Sequence, residues 1–248
     1  MSFNDKDFIN LLDFYRNQEN FHEKSKIPYD NLDNISKSDN DNHFIERDDV
    51  YMFNFDNLCY NANLSNSGKP KRNLPASMDA LYFNEELRKL CFLEFKNLPL
   101  KSIDYKNELK MIIDSLKSDY DIDMKIIEKL NDVYVRFEDE IICKLKNKTN
   151  ESLFFCLPLI YETYCKKSEL DFNQCKNDFI LWLLNYKKTF IFVFAENDNI
   201  SPLNKHISFD VKLKDKLKHF DNISNINTII TTKNAFEKDI LYKTSDVS

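Results

Sequence analysis

The chain has 248 residues, 42% hydrophobic and 31% charged, with a formal net charge of -6. That length holds one or two domains with a substantial core, and 21 Phe and 12 Tyr make the core aromatic. The acidic balance excludes the chain-wide basic surface of a dedicated nucleic-acid binder, and no run of about 18 uninterrupted apolar residues is available to span a bilayer.

In chain order, residues 1–20 contain a short amphipathic helix with Phe8, Leu11, Leu12 and Tyr15 on one face and Asp5 as its expected cap. Its start, "MSFNDKDFIN", has early acids and no signal-peptide core. Residues 21–76 read as a largely flexible linker, polar and without period around "NLDNISKSDNDN", with an aromatic interruption at 50–60. A helical body is expected over 77–188. Its first helix starts at Ser77, with Asp79 in the first turn, and runs to about Asn97 before Pro99. A second begins at Ser102. A third, over 123–146, carries Ile126, Ile127, Leu130, Tyr134, Phe137, Ile141 and Leu145 on one side.

Residues 151–167, apolar on most sides, predict a buried helix that Pro158 either kinks or enters in its first turn. The next helix is expected from Ser168, with Phe172, Cys175, Phe179, Trp182, Leu183 and Tyr186 at 3.6 spacing. Lys187 and Lys188 sit where a helix C-terminus favours cations, and "TFIFVFA" then has strand composition. "NYKK" is thus the joint between a core helix and a first strand. "HISFDVKL" alternates as a half-buried strand and "NTIITT" is a third candidate. These strands make a small β element over 189–232, packed on the body, before a flexible tail over 233–248. The expected fold is mainly α, a bundle-like body with a small C-terminal antiparallel β element, α+β overall.

The chemistry is read largely from what is missing. Gly68 is the only glycine, so dinucleotide, P-loop, nucleophile-elbow and kinase phosphate loops cannot exist in standard form, nor can the glycine-bearing RNA-binding motifs. The scarcity fits an AT-rich coding bias, which also favours Lys over Arg and enriches Asn. His22, His43, His206 and His219 include no i, i+4 pair. The six cysteines form no CxxC and read as reduced, mostly buried thiols of an intracellular protein, cytoplasmic or nuclear. Glu138, Asp139 and Glu140 point in three directions on a helix and read as a solvated face. No catalytic residue, cofactor or metal ligand is assigned.

Two positive signals remain. The N-terminal helix on its polar tether either folds back on its own body or enters a partner's groove through Phe8, Leu11, Leu12 and Tyr15. Lys69, Lys71 and Arg72, with Lys212, Lys214 and Lys216, form two basic stretches. The function expected is a non-catalytic interaction or scaffold subunit with protein partners. A nucleic-acid-associated factor using the basic stretches (69–72 and 212–219) is the alternative, and an enzyme whose site forms only in three dimensions is the second alternative.

Overall fold

The structure, a computed structural model, describes residues 2–17, 26–37, 44–64, 68–71, 73–74, 76–84, 88–99, 129, 140–195, 211, 213, 215–218 and 225–238. Its frame is a six-stranded mixed sheet in the order β1 (Tyr29–Asn31), β2 (Tyr51–Asn54), β3 (Ala80–Asn84), β4 (Lys89–Pro99), β5 (Lys187–Ala195) and β6 (Ile226–Thr232). The first four strands are antiparallel, and β4, β5 and β6 run parallel. β5 lies between β4 and β6 and is apolar on both faces, as a covered parallel strand must be. Phe190, Phe192 and Phe194 enter one core, and Ile191 and Val193 the other.

The larger core is covered by helices. α1 (Asp5–Arg16) buries Phe8, Leu11, Leu12 and Tyr15 there. Asn4, not Asp5, is the cap: its side chain accepts the N–H groups of Lys6 and Asp7, while the Asp7 carboxylate accepts the Asn4 N–H at 2.9 Å. α3 (Phe55–Asn63), the helical residues 140–151 (α4), α5 (Leu157–Lys167) and α6 (Phe172–Asn185) complete that layer. The smaller core is closed by α2 (Leu32–Ile35), Phe44, Ile45 and Phe236 of α7 (Lys233–Phe236).

The fold therefore corrects the expectation of a helical bundle with a small C-terminal antiparallel element. Strands lie in the N-terminal and central parts of the chain, and the C-terminal pair is parallel. Residues 77–97, expected as one helix, contain β3 and most of β4. Their Leu, Phe and Tyr residues fit either period, and Arg88 (φ 47°) takes the left-handed conformation beside β4, where a glycine would have signalled a turn. Within 21–76 the structure places β1, α2, β2 and α3, and asparagines supply their caps. Asn31 accepts the N–H of Asn34, and Asn54 that of Asn57. Buried Asn61 braces the chain there, accepting the Lys26 N–H and donating to the Lys26 carbonyl. In "HISFDVKL", Val211 and Leu213 are helical rather than extended. The expected helix at 102–116, Phe137 and most of the 123–146 helix lie outside the described residues.

Other expectations hold in part: residues 151–167 are helical but leave Phe154 and Phe155 exposed, and the strand after "NYKK" is the fifth of six rather than the first. Ser152–Cys156 form a π turn and Pro158 stands in the first turn of α5, where its missing N–H is tolerated. α6 is capped by Asp171 rather than Ser168, but it buries Phe179 and Leu183 as its period requires. "NYKK" is the joint: the helix ends at Asn185, and Lys188 of β5 turns back to donate to the carbonyls of Leu183, Leu184 and Tyr186. Among the described residues no helix is long and apolar enough to cross a membrane.

Candidate active site

Side chains alternate along a strand. On β4, Leu90 and Phe92 face the larger core, so the same face next receives Glu94 and Lys96. Their register partners on β5 are Phe192 and Phe194. The Glu94 side chain is 0% exposed, a buried carboxylate where an apolar residue would fit.

Asp79 is fixed opposite it at the entry to β3. Its N–H donates to the Leu93 carbonyl at 2.9 Å, its own carbonyl accepts the Phe55 N–H at 3.0 Å, and its Oδ2 accepts the Phe95 N–H at 2.6 Å. The approach to Asp79 is held from the α4 side. The Met78 N–H donates to Ser152 Oγ at 3.0 Å, and the Ala76 N–H donates to the Glu151 carboxylate. Ser152 opens the π turn, so that irregularity faces the site, a common place for one. Asp56, in the first turn of α3, accepts a hydrogen bond from the Ser77 hydroxyl.

One ammonium joins the two carboxylates. Lys148 Nζ lies 2.8 Å from Glu94 Oε1, 2.9 Å from Oε2 and 3.3 Å from Asp79 Oδ1. Lys96 Nζ contacts Glu94 Oε1 as well. Burial pushes the Glu94 carboxyl up to about 7, and the Asp79 charge adds to this, while Lys148 and Lys96 oppose it. Burial alone would lower the Lys148 ammonium, but Asp79 and Glu94 outweigh it and hold it above its ordinary value.

Two clefts flank this cluster. One, of about 680 Å³, is lined by Lys26, Lys37, Phe44, Asp56, Asp79 and Lys96 among others. The second, of about 480 Å³, includes Lys96, Lys144, Leu145 and Lys148. Lys96 borders both. Among the described residues no three His, Cys, Asp or Glu side chains gather into a complete metal cage. Asp79 and Glu94 nevertheless present the donor set that Mg2+ commonly takes from a protein, one or two carboxylates with water and substrate oxygens filling the remaining positions.

The residues singled out from sequence lie elsewhere. Phe8, Leu11, Leu12 and Tyr15 are at most 6% exposed inside the chain's own core. Tyr15 also donates its hydroxyl to the Ile160 carbonyl at 2.9 Å. Lys69, Lys71 and Lys216 are exposed, with the Lys71 N–H bonded to the Asn63 carbonyl. Arg72, Lys212, Lys214 and all four histidines lie outside the described residues. All six cysteines are free, and Cys59, Cys156 and Cys165 are buried. Of the acids at 138–140, Glu138 and Asp139 lie outside the described residues, and Glu140 is exposed and pairs with Lys144.

Asp79, Glu94, Lys96 and Lys148 escaped the sequence reading. The usable signal was "LCFLEFK", a Glu-x-Lys pair inside an apolar run, which on a strand forces the charges onto a buried face. Comparison with protein-family models, curated proteins and solved structures returns no match, so the site stands on its own geometry.

Proposed function

We propose that the chain is an enzyme, a divalent-cation-dependent phosphodiesterase acting on nucleic acid. The observation that carries this reading is the convergence of Asp79 and Glu94 on one cation position, with Lys96 beside it at the junction of two clefts. A Mg2+ ion held by those carboxylates would supply Lewis acidity and an activated water. Asp79 and Glu94 fix its place. Lys96 would neutralise the charge that develops on the phosphoryl oxygens as the water oxygen bonds to phosphorus and the ester P–O bond breaks, the water's proton passing to solvent and the departing alkoxide taking one from it. Lys26 and Lys37 line the first cleft beside Asp56, and Lys144, paired with Glu140, lines the second beside Glu151, so lysines stand on both sides of the carboxylates. A diester, with an arm on each side of phosphorus, suits that layout better than a terminal phosphate. The overall charge of -6 does not oppose this, because a local basic face around a cation site is enough.

The test is cleavage of single- and double-stranded polynucleotide by the purified chain with Mg2+ or Mn2+. Cleavage that stops with a chelator and in Glu94→Gln supports the reading. Absence of cleavage with either cation, or cleavage indifferent to both changes, removes it.

The interaction-subunit reading keeps one specific support. Phe155 and Leu181 are 58% and 57% exposed, with Phe154, Leu170 and Ile180 also exposed nearby in sequence. Size-exclusion with light scattering and a native pull-down test it, and a monomer that recovers no partner sets it aside.

A further inference from the structure

We propose that Lys148 is the site's resident counter-ion, holding the divalent-cation position while it is empty and moving to a substrate phosphate when a cation enters. This rests on the reading of Asp79 and Glu94 as cation ligands. The Lys148 ammonium touches both Glu94 oxygens and Asp79 Oδ1 at 2.8 to 3.3 Å. A Mg2+ ion would draw in the same oxygens to about 2.0–2.1 Å. The two cations cannot share that space, because charges this close in a poorly hydrated site repel strongly.

Charge balance points the same way. Asp79 and Glu94 are matched by Lys96 and Lys148, so the four groups are neutral together. A divalent ion leaves a surplus of two positive charges, and the single negative charge of a phosphodiester offsets one of them. The two lysines differ in what they hold. Among the described residues Lys96, 32% exposed on β4, pairs with Glu94. Lys148 reaches in from α4, bridges both carboxylates at 23% exposure, and lines the second cleft, into which its four-carbon stem can swing. Cation and phosphodiester therefore bind cooperatively, with Lys148 as the element that couples them. It is a positioning residue: it acts through the cation site and the phosphate.

The experiment is a calorimetric titration of Mn2+ into the full chain at low ionic strength, with and without a dinucleotide phosphorothioate. Wild type, Lys148→Met, Lys148→Gln and Asp79→Asn are compared. Without the dinucleotide, both Lys148 variants bind Mn2+ roughly tenfold more tightly than wild type, a difference of about 1.4 kcal/mol. The dinucleotide tightens Mn2+ binding in wild type and leaves the Lys148 variants unchanged. Lys148→Gln keeps hydrogen bonds to the carboxylates, so the comparison survives if Lys148→Met fails to fold. Equal or weaker Mn2+ binding by the Lys148 variants overturns the proposal while leaving the cation site intact. No binding by any protein, or equal binding by Asp79→Asn, overturns the cation site itself and this proposal with it.

Discussion

β4 and β5 lie side by side in register, yet they treat the same core face differently. On β5 it reads Phe190, Phe192, Phe194, and the first of these stacks on Phe92 of β4 with ring centroids 4.8 Å apart. On β4 the face goes from Phe92 to Glu94 and Lys96. The neighbouring strand shows that apolar residues fit this layer throughout. An ion pair buried in place of apolar residues is neutral to destabilising by a few kcal/mol. A sequence that breaks its own packing rule at one point, with no gain in stability, makes that point the candidate for function.

The largest effect expected is on the apolar strand. Phe192→Ala should remove roughly 3 to 5 kcal/mol of stability in chemical denaturation. A loss below about 1 kcal/mol would erase the contrast between the two strands. Next, the double variant Glu94→Leu with Lys148→Met continues the β5 pattern onto β4 and removes both partners of the buried ion pair together. It should lower cation-dependent cleavage by at least roughly 10²- to 10³-fold while leaving stability at pH 8 equal to or above wild type. Retained cleavage, or severe unfolding, would show that Glu94 is there for structure.

The pH dependence sharpens the same point at a smaller scale. A carboxyl raised to about 7 favours its protonated form in the folded chain. Its stabilising contribution is complete below the unfolded value, near 4.5, and is lost as pH rises through about 7. Between pH 5 and 8, wild type should therefore lose on the order of 2 to 3 kcal/mol relative to Glu94→Gln, read from urea titrations. Parallel profiles would mean that Lys148 and Lys96 keep Glu94 ionised throughout. The smallest effect lies away from both strands. Glu169 holds φ 57° after α5, with the Leu170 N–H closing onto the Cys165 carbonyl at 2.8 Å, the place usually taken by glycine. Glu169→Gly should gain about 0.5 to 1 kcal/mol in the same titrations. A loss would show that the Glu169 side chain contributes more than its backbone geometry costs.

What was legible in the sequence follows from which signals the composition left intact. From 151 to 195 the apolar period was strong, and π turn, helix, helix and strand fall within that pattern, with Lys188 at the joint. Beyond Gly68 (φ 70°) no glycine marks a turn, and Arg88, Glu169 and Asn225 take positive φ instead. Asparagines that read as linker are caps: Asn4, Asn31 and Asn54 each close a helix start. The site itself was hidden by the same ambiguity. Read as a helix, Glu94 is one charge at the end of a stripe formed by Phe83, Leu87 and Leu90. Read as a strand, it lies buried between Lys96 and Lys148. Lys148, 54 residues on from Glu94, had no local signal at all.

The most direct test of the central claim is the stoichiometry of Mn2+ binding by wild type, Asp79→Asn and Glu94→Gln under one condition. One site in wild type that is lost or severely weakened in both variants is the predicted result. Binding that is equal in all three proteins, or absent from wild type, would contradict it.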